Sequence, residues 1–295
     1  MMCRARRWLA LTLAAVLVLS AAELALRARY RRLVLPPEPR HGGKVTVVAL
    51  GDSITAGWPG PPDQAWPALI ETRLRTAYPD VVWQIINAGT PGNTAPMGYA
   101  RFNREVAAHA PDVALIAFGL NDCHRARHAL DRWFEARVPS GPGRSYVWRA
   151  LQARVARISR RLGRLVDPAY APETAPAPFL RTSPARFSAA LSALIDRSRD
   201  IDSRPVLLTM TPMLEQTPPD ECALRAECSA YNARIRAVAA KRGIYVVELA
   251  SRAPAGALLT DGLHLTAIGQ QWTADRVYET LKAAGLWDTL ARRAR

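Results

Sequence analysis

The chain has 295 residues, enough for one large domain or two small ones, and its 49% apolar content can supply a sizeable core. A formal charge of +15 and a pI near 10.6 would ordinarily point to nucleic acid, anionic lipid or an acidic polymer. Of the 40 basic residues, however, only Lys44, Lys241 and Lys282 are lysines; the remainder are arginines in a chain rich in Ala and Pro. That bias reads as the product of GC-rich coding, and with no aromatic-basic ladder, zinc-finger spacing or recognition-helix pattern, nucleic-acid binding is excluded.

Residues 1–30 form a leader. Arg4, Arg6 and Arg7 precede an uninterrupted apolar run from Trp8 to Leu19 that continues in small residues to Ala22. This is the pattern of an export signal. Two outcomes stay open: cleavage after "SAA", or retention as a signal anchor in the inner membrane, with a short cytoplasmic tail and an exported, periplasmic or extracellular, domain. Residues 31–43, "RRLVLPPEPRHGG", read as a linker, since proline and glycine interrupt any regular element.

From residue 44 onward, short β-rich apolar runs alternate with longer helical patterns. Strands are predicted at 44–50, 81–87, 112–118, 205–210 and 244–249, and helices near 64–77, 97–109, 184–199, 227–242 and 266–284, the last closing the chain. Continuous apolar strands separated by helices predict a five-stranded parallel sheet covered on both faces, a three-layer α/β/α sandwich in one domain over residues 44–290. One segment breaks the alternation: about 131–182 is inserted between the third and fourth strands. Within it, Trp148, Leu151, Val155, Ile158, Leu162 and Leu165 recur at helical spacing amid arginines, either as a lid on the domain or as a helix lying on an anionic membrane surface.

Cys222 and Cys228 enclose a five-residue loop and are predicted to pair in an oxidising compartment. Cys3 falls in the leader. Cys123 is left unpaired unless it takes a partner from those two. Neither a Cys-x-x-Cys motif nor clustered histidines accompany them, so no metal or other cofactor is implied.

In an open parallel sheet, ligands bind beyond the carboxyl ends of the strands. The first strand ends in "GDSIT", with Ser53; the second in "NAGTPGNT", with Gly92; the third in "GLND", with Asn121. Before the last helix, "LLTDGLHLT" places Asp261 three residues from His264. A serine hydroxyl needs a base to take its proton as it attacks, an imidazole supplies one, and a carboxylate fixes the imidazole tautomer. A tetrahedral oxyanion needs preorganised donors, which the Ser53 and Gly92 backbone N–H groups and the Asn121 amide could provide. Taken singly each motif also reads as a turn or a helix cap; their order and common rim argue for chemistry.

These four blocks resemble the SGNH hydrolases, also called GDSL esterases and lipases, over about residues 44–284. The resemblance implies a flavodoxin-like SGNH hydrolase fold, with Ser53 as nucleophile and oxyanion donor, Gly92 and Asn121 as the other oxyanion donors, and Asp261 and His264 completing a triad. The inserted segment and the leader depart from the family pattern and leave the substrate open. The Gly-x-Ser-x-Gly elbow of α/β-hydrolases is absent.

Cys123 and His124 offer a thiol nucleophile only on paper, because neighbours in sequence point apart and no separate acid orients His124. His41, His109 and His128 lack carboxylate partners at useful spacing and read as surface residues, while Asp52 and Asp122 read as structural groups around the rim. Trp58, in "GWPGPPDQAW", is the candidate for lining the acyl or leaving-group side of the pocket. The expected activity is a serine esterase that cleaves acyl esters of carbohydrates, lipids or small molecules. An O-acyltransferase of envelope polysaccharide and a non-catalytic glycan-binding module are the alternatives.

Overall fold

The computed structural model describes residues 14–25, 28, 43–124, 138, 180–211, 219–250 and 253–295. In chain order these give β1 (Lys44–Gly51), α1 (Ser53–Ala56), α2 (Trp66–Ala77), β2 (Val82–Gly89), α3 (Ala95–Glu105), β3 (Val113–Ala117), α4 (Pro184–Asp200), β4 (Arg204–Leu208), α5 (Pro219–Arg242), β5 (Tyr245–Val247), α6 (Ala267–Ala283) and α7 (Leu286–Ala294). All five strands are parallel, in the order β2-β1-β3-β4-β5. The chain steps from β1 outward to β2 and returns to the other side of β1, so the crevice lies where the winding reverses.

β1 is buried at every position after Lys44 because helices cover both of its faces. Its side chains alternate between two cores. Val48 and Leu50 join Phe102, Phe118, Phe187, Leu194 and Tyr231 under α3, α4 and α5. Val45, Val47 and Ala49 join Trp66, Trp83, Val277 and Trp287 under α2, α6 and α7. Register then sets the site: Gly51 at the end of β1 stands opposite Gly89 of β2 and Ala117 of β3. Three loops therefore leave the sheet at one level.

The three-layer α/β/α sandwich is the expected architecture, with three differences. The chain does not close at the helix near 266–284; Gly285, at φ +68°, turns it into α7. Trp287 of that helix is fully buried edge-on to Trp83, with ring centroids 5.9 Å apart. The helix expected at 227–242 begins earlier, at Pro219. That extension bears on the cysteines: residues 222 and 228 sit on one continuous helix, six positions or about 9 Å apart along the axis, too far for a disulfide to span. In place of the predicted Cys222–Cys228 pair, Cys228 is bonded to Cys123, with Cα atoms 5.5 Å apart across 105 residues of sequence.

The amphipathic stretch 148–165, nearly all of the 131–182 insertion and the linker up to residue 42 lie outside the described residues. Leader residues 14–25 are helical, with Val16, Leu17, Val18, Leu19 and Leu24 exposed; the leader before residue 14 is likewise outside. Among the described residues no helix is long and apolar enough to cross a membrane.

Candidate active site

Ser53 opens α1 directly beyond β1. Asp52 caps this short helix, its Oδ1 accepting from the Ile54 N–H at 3.0 Å, and the Trp58 N–H returns to the Ser53 carbonyl at 3.1 Å. The turn holds the serine just beyond the carboxyl end of β1, where it is 6% exposed.

His264 arrives from the loop that enters α6. That loop is closed on itself: the Leu259 N–H donates to the His264 carbonyl at 2.8 Å, and Leu258 and Leu265 form an antiparallel bridge. Thr266 caps α6 through its hydroxyl, which accepts from the Gly269 N–H and donates to the Gly256 carbonyl at 2.6 Å. Within this frame Asp261 Oδ1 accepts from the Leu263 and His264 N–H groups, each at 2.9 Å, while Oδ2 lies 2.7 Å from His264 Nδ1. Burial acts to raise the Asp261 carboxyl, but these hydrogen bonds outweigh it and hold its pKa below the usual carboxylate range. On the other side of the ring, His264 Nε2 lies 3.0 Å from Ser53 Oγ. An Nδ1–H toward the carboxylate leaves Nε2 as acceptor for the serine proton.

Trp58 stands at this corner. Its ring meets the His264 ring edge-on, centroids 4.6 Å apart, and 49% of the residue is exposed.

Asn121 and Gly92 come from the loops that follow β3 and β2. Asn121 Nδ2 donates to Asp52 Oδ2 at 3.4 Å, next to the serine in sequence. Gly92 sits in the loop between β2 and α3 at φ +76°, a backbone conformation that favours glycine. The two are joined by a residue that the motifs did not single out: Arg181 Nη1 donates to the Gly92 carbonyl at 3.0 Å and lies 3.4 Å from Asn121 Oδ1.

Two buried carboxyls brace the rim, as expected of Asp52 and Asp122. Burial pushes the Asp52 carboxyl up to about 6, against the pull of its hydrogen bonds and of His264. Burial pushes Asp122 up to about 7, although it accepts from the Ala95 N–H at 3.1 Å and so fixes the start of α3 against the "GLND" loop.

Arg101 is the second unforeseen residue. Its guanidinium donates to the Gly51 carbonyl at 2.7 Å, the Ala88 carbonyl at 2.8 Å and Asn93 Oδ1 at 3.0 Å, tying the ends of β1 and β2 to the loop that carries Gly92. Burial lowers its pKa to about 10, so it remains a cation at neutral pH. Arg101 lies to one side of the stripe that α3 buries through Ala95, Gly98, Tyr99 and Phe102, and is itself half-buried, so its place in the helix pattern gave no signal. Among the described residues, no group of three or more His, Cys, Asp or Glu side chains is clustered to hold a metal ion.

Residues 49–272 match the family model described as GDSL-like Lipase/Acylhydrolase family. An arylesterase of Vibrio mimicus is 37% identical over 76 residues, 26% of this chain and 37% of that protein. A protein of Escherichia coli K12 named thioesterase 1/protease 1/lysophospholipase L1 is 33% identical over 77 residues, 26% of this chain and 35% of that protein. The chain thus matches little more than a third of the length of these curated relatives. In fold, the crystal structure of a lipase/acylhydrolase from Enterococcus faecalis superposes with a TM-score of 0.55 at 19% identity, covering 81% of this chain and 96% of that one. With more than half of its length matched by the family model, and the expected blocks standing at one rim of the expected sheet, the chain belongs to the GDSL-like lipase/acylhydrolase family, a family of carboxylic ester hydrolases.

Proposed function

We propose that the protein is a serine esterase working outside the cytoplasm, which cleaves acyl esters of carbohydrates, lipids or small alcohols through an acyl-enzyme on Ser53. The observation that carries this reading is the unbroken chain from Ser53 Oγ through His264 to Asp261, with links of 3.0 and 2.7 Å. Ser53 Oγ attacks the ester carbonyl carbon while its proton passes to His264 Nε2. The imidazolium is stabilised by Asp261, whose lowered pKa keeps it charged. The Ser53 and Gly92 N–H groups and the Asn121 amide receive the oxyanion. The tetrahedral intermediate collapses as His264 returns the proton to the departing alcohol. Water then repeats the sequence on the acyl-enzyme, giving free acid and Ser53. The half-exposed Trp58 borders His264, on the side where the alcohol must be protonated, which supports a role in the leaving-group subsite.

Export is supported by the leader and by the Cys123–Cys228 disulfide, a bond that persists in oxidising compartments. Fluorophosphonate labelling of the purified protein, followed by an ester panel graded by acyl length and alcohol, tests the chemistry. Labelling at Ser53 with hydrolysis as the main reaction is expected. Transfer to an added oligosaccharide outrunning hydrolysis would make it an acyltransferase, and absent labelling would contradict both.

A further inference from the structure

We propose that Arg181 is the positioning residue of the oxyanion hole, so that the chain returning from the long insertion completes the catalytic centre. This rests on the reading of Asn121 and Gly92 as oxyanion donors and adds what holds them in place.

An asparagine side chain serves an oxyanion only when its NH₂ faces the charge; turned over, its carbonyl would repel it. The flanking partners decide between these two orientations. Arg181 has donors only and stands at 3.4 Å from Asn121 Oδ1, while Asp52 Oδ2, an acceptor once ionised, stands at 3.4 Å from Nδ2. With a donor on one side and an acceptor on the other, the amide can satisfy both in one orientation. That orientation leaves the second Nδ2 hydrogen for the substrate. Both contacts are long, as catalytic hydrogen bonds often are before the substrate binds.

The same Nη1 grips the Gly92 carbonyl at 3.0 Å, so a single guanidinium couples two oxyanion loops that leave different strands. Its own backbone is anchored. The Arg181 N–H donates to the His124 carbonyl at 2.9 Å and the Thr182 N–H to the Asp122 carbonyl at 3.2 Å, pairing this segment with the "GLND" loop. The fully buried Tyr231 closes the anchor from α5 by donating its hydroxyl hydrogen to the Thr182 carbonyl. A lysine ammonium, a point charge without a planar fork, would not reproduce the two-loop geometry.

A double-mutant cycle on ester hydrolysis tests this. Asn121→Ala is expected to lower kcat by about 10² to 10³. Arg181→Gln should lower kcat by about tenfold or more with KM changed less than about twofold, and in the Asn121→Ala background should cost less than about threefold further. A folded Arg181→Gln protein with full kcat would overturn the inference, as would a loss that multiplies fully with that of Asn121→Ala. If Arg181→Gln fails to fold by its thermal midpoint, Arg181→Lys, which keeps stem and charge but loses the fork, carries the same cycle. Fluorophosphonate labelling of Ser53 in the unmutated protein reports separately on the proposed chemistry. A labelled enzyme with a multiplicative cycle therefore removes this inference alone, and an unlabelled one removes both.

Discussion

Asp261 gives both of its oxygens to the segment it belongs to, Oδ1 to two backbone N–H groups and Oδ2 to the imidazole three residues on. Three-residue spacing suffices because the loop closes through the Leu259 to His264 hydrogen bond. Asp261→Asn keeps the size and one acceptor but can present an amide NH₂ to Nδ1, which favours the tautomer with its hydrogen on Nε2 and removes the base. We expect kcat to fall on the order of 10³ to 10⁴ with the fold intact, measured on any ester the unmutated enzyme turns over. A loss under tenfold would mean that Asp261 does not orient His264. At this scale the sequence displayed Ser53, Gly92, Asn121, Asp261 and His264, because each stands in a short block with its own turn chemistry. It hid Arg101 and Arg181. In a chain whose cations are nearly all arginines, one more arginine carries no local signal, and the carbonyls those two bind belong to distant segments.

At the scale of elements, the rim depends on helix starts and strand register. Asp122 fixes α3 by accepting from the Ala95 N–H while fully buried. Its folded pKa of about 7 lies above the ordinary carboxylate value of 3.8, so the native state holds its proton more tightly than the unfolded chain does. Its contribution to stability is therefore fully present below about pH 4 and is lost as the pH rises through about 7. Asp52 adds a change of the same sign through about 6. Asp122→Asn retains the acceptor for Ala95 and cannot ionise, so its thermal midpoint should decline less between pH 4 and 7 than that of the unmutated protein. Parallel profiles would contradict the assignment.

The strands were legible to within about two residues at each end because two-sided burial demands continuous apolar runs. The last helix was not: Gly285 reads as a stop, and only the fit of Trp287 against Trp83 shows why the chain continues. The cysteine pairing failed for a related reason. Residues 219–226 carry no apolar periodicity that announces a helix, yet α5 begins at Pro219 and separates residues 222 and 228 along its axis.

Across the whole molecule, the Cys123–Cys228 bond closes a loop of 105 residues that contains the insertion, and it joins the neighbour of the "GLND" block to α5. Cross-linking so long a loop restricts the unfolded chain and is worth about 4 to 5 kcal/mol in the chain-entropy account. Replacing both cysteines with alanine should lower the unfolding free energy by about 2 to 5 kcal/mol in denaturant titrations. An unchanged midpoint would show that the bond does not form in the protein as made. The two described ends of the chain around the insertion thus meet at one loop, where Arg181 and Thr182 bond to the His124 and Asp122 carbonyls beside Cys123. The most direct test of the account is ester hydrolysis and fluorophosphonate labelling of the purified protein beside its Ser53→Ala variant. Labelling should be abolished and turnover lowered by about 10⁶, to the level left by binding and the oxyanion donors alone. A Ser53→Ala protein that keeps most of its esterase activity, or still labels, would contradict it.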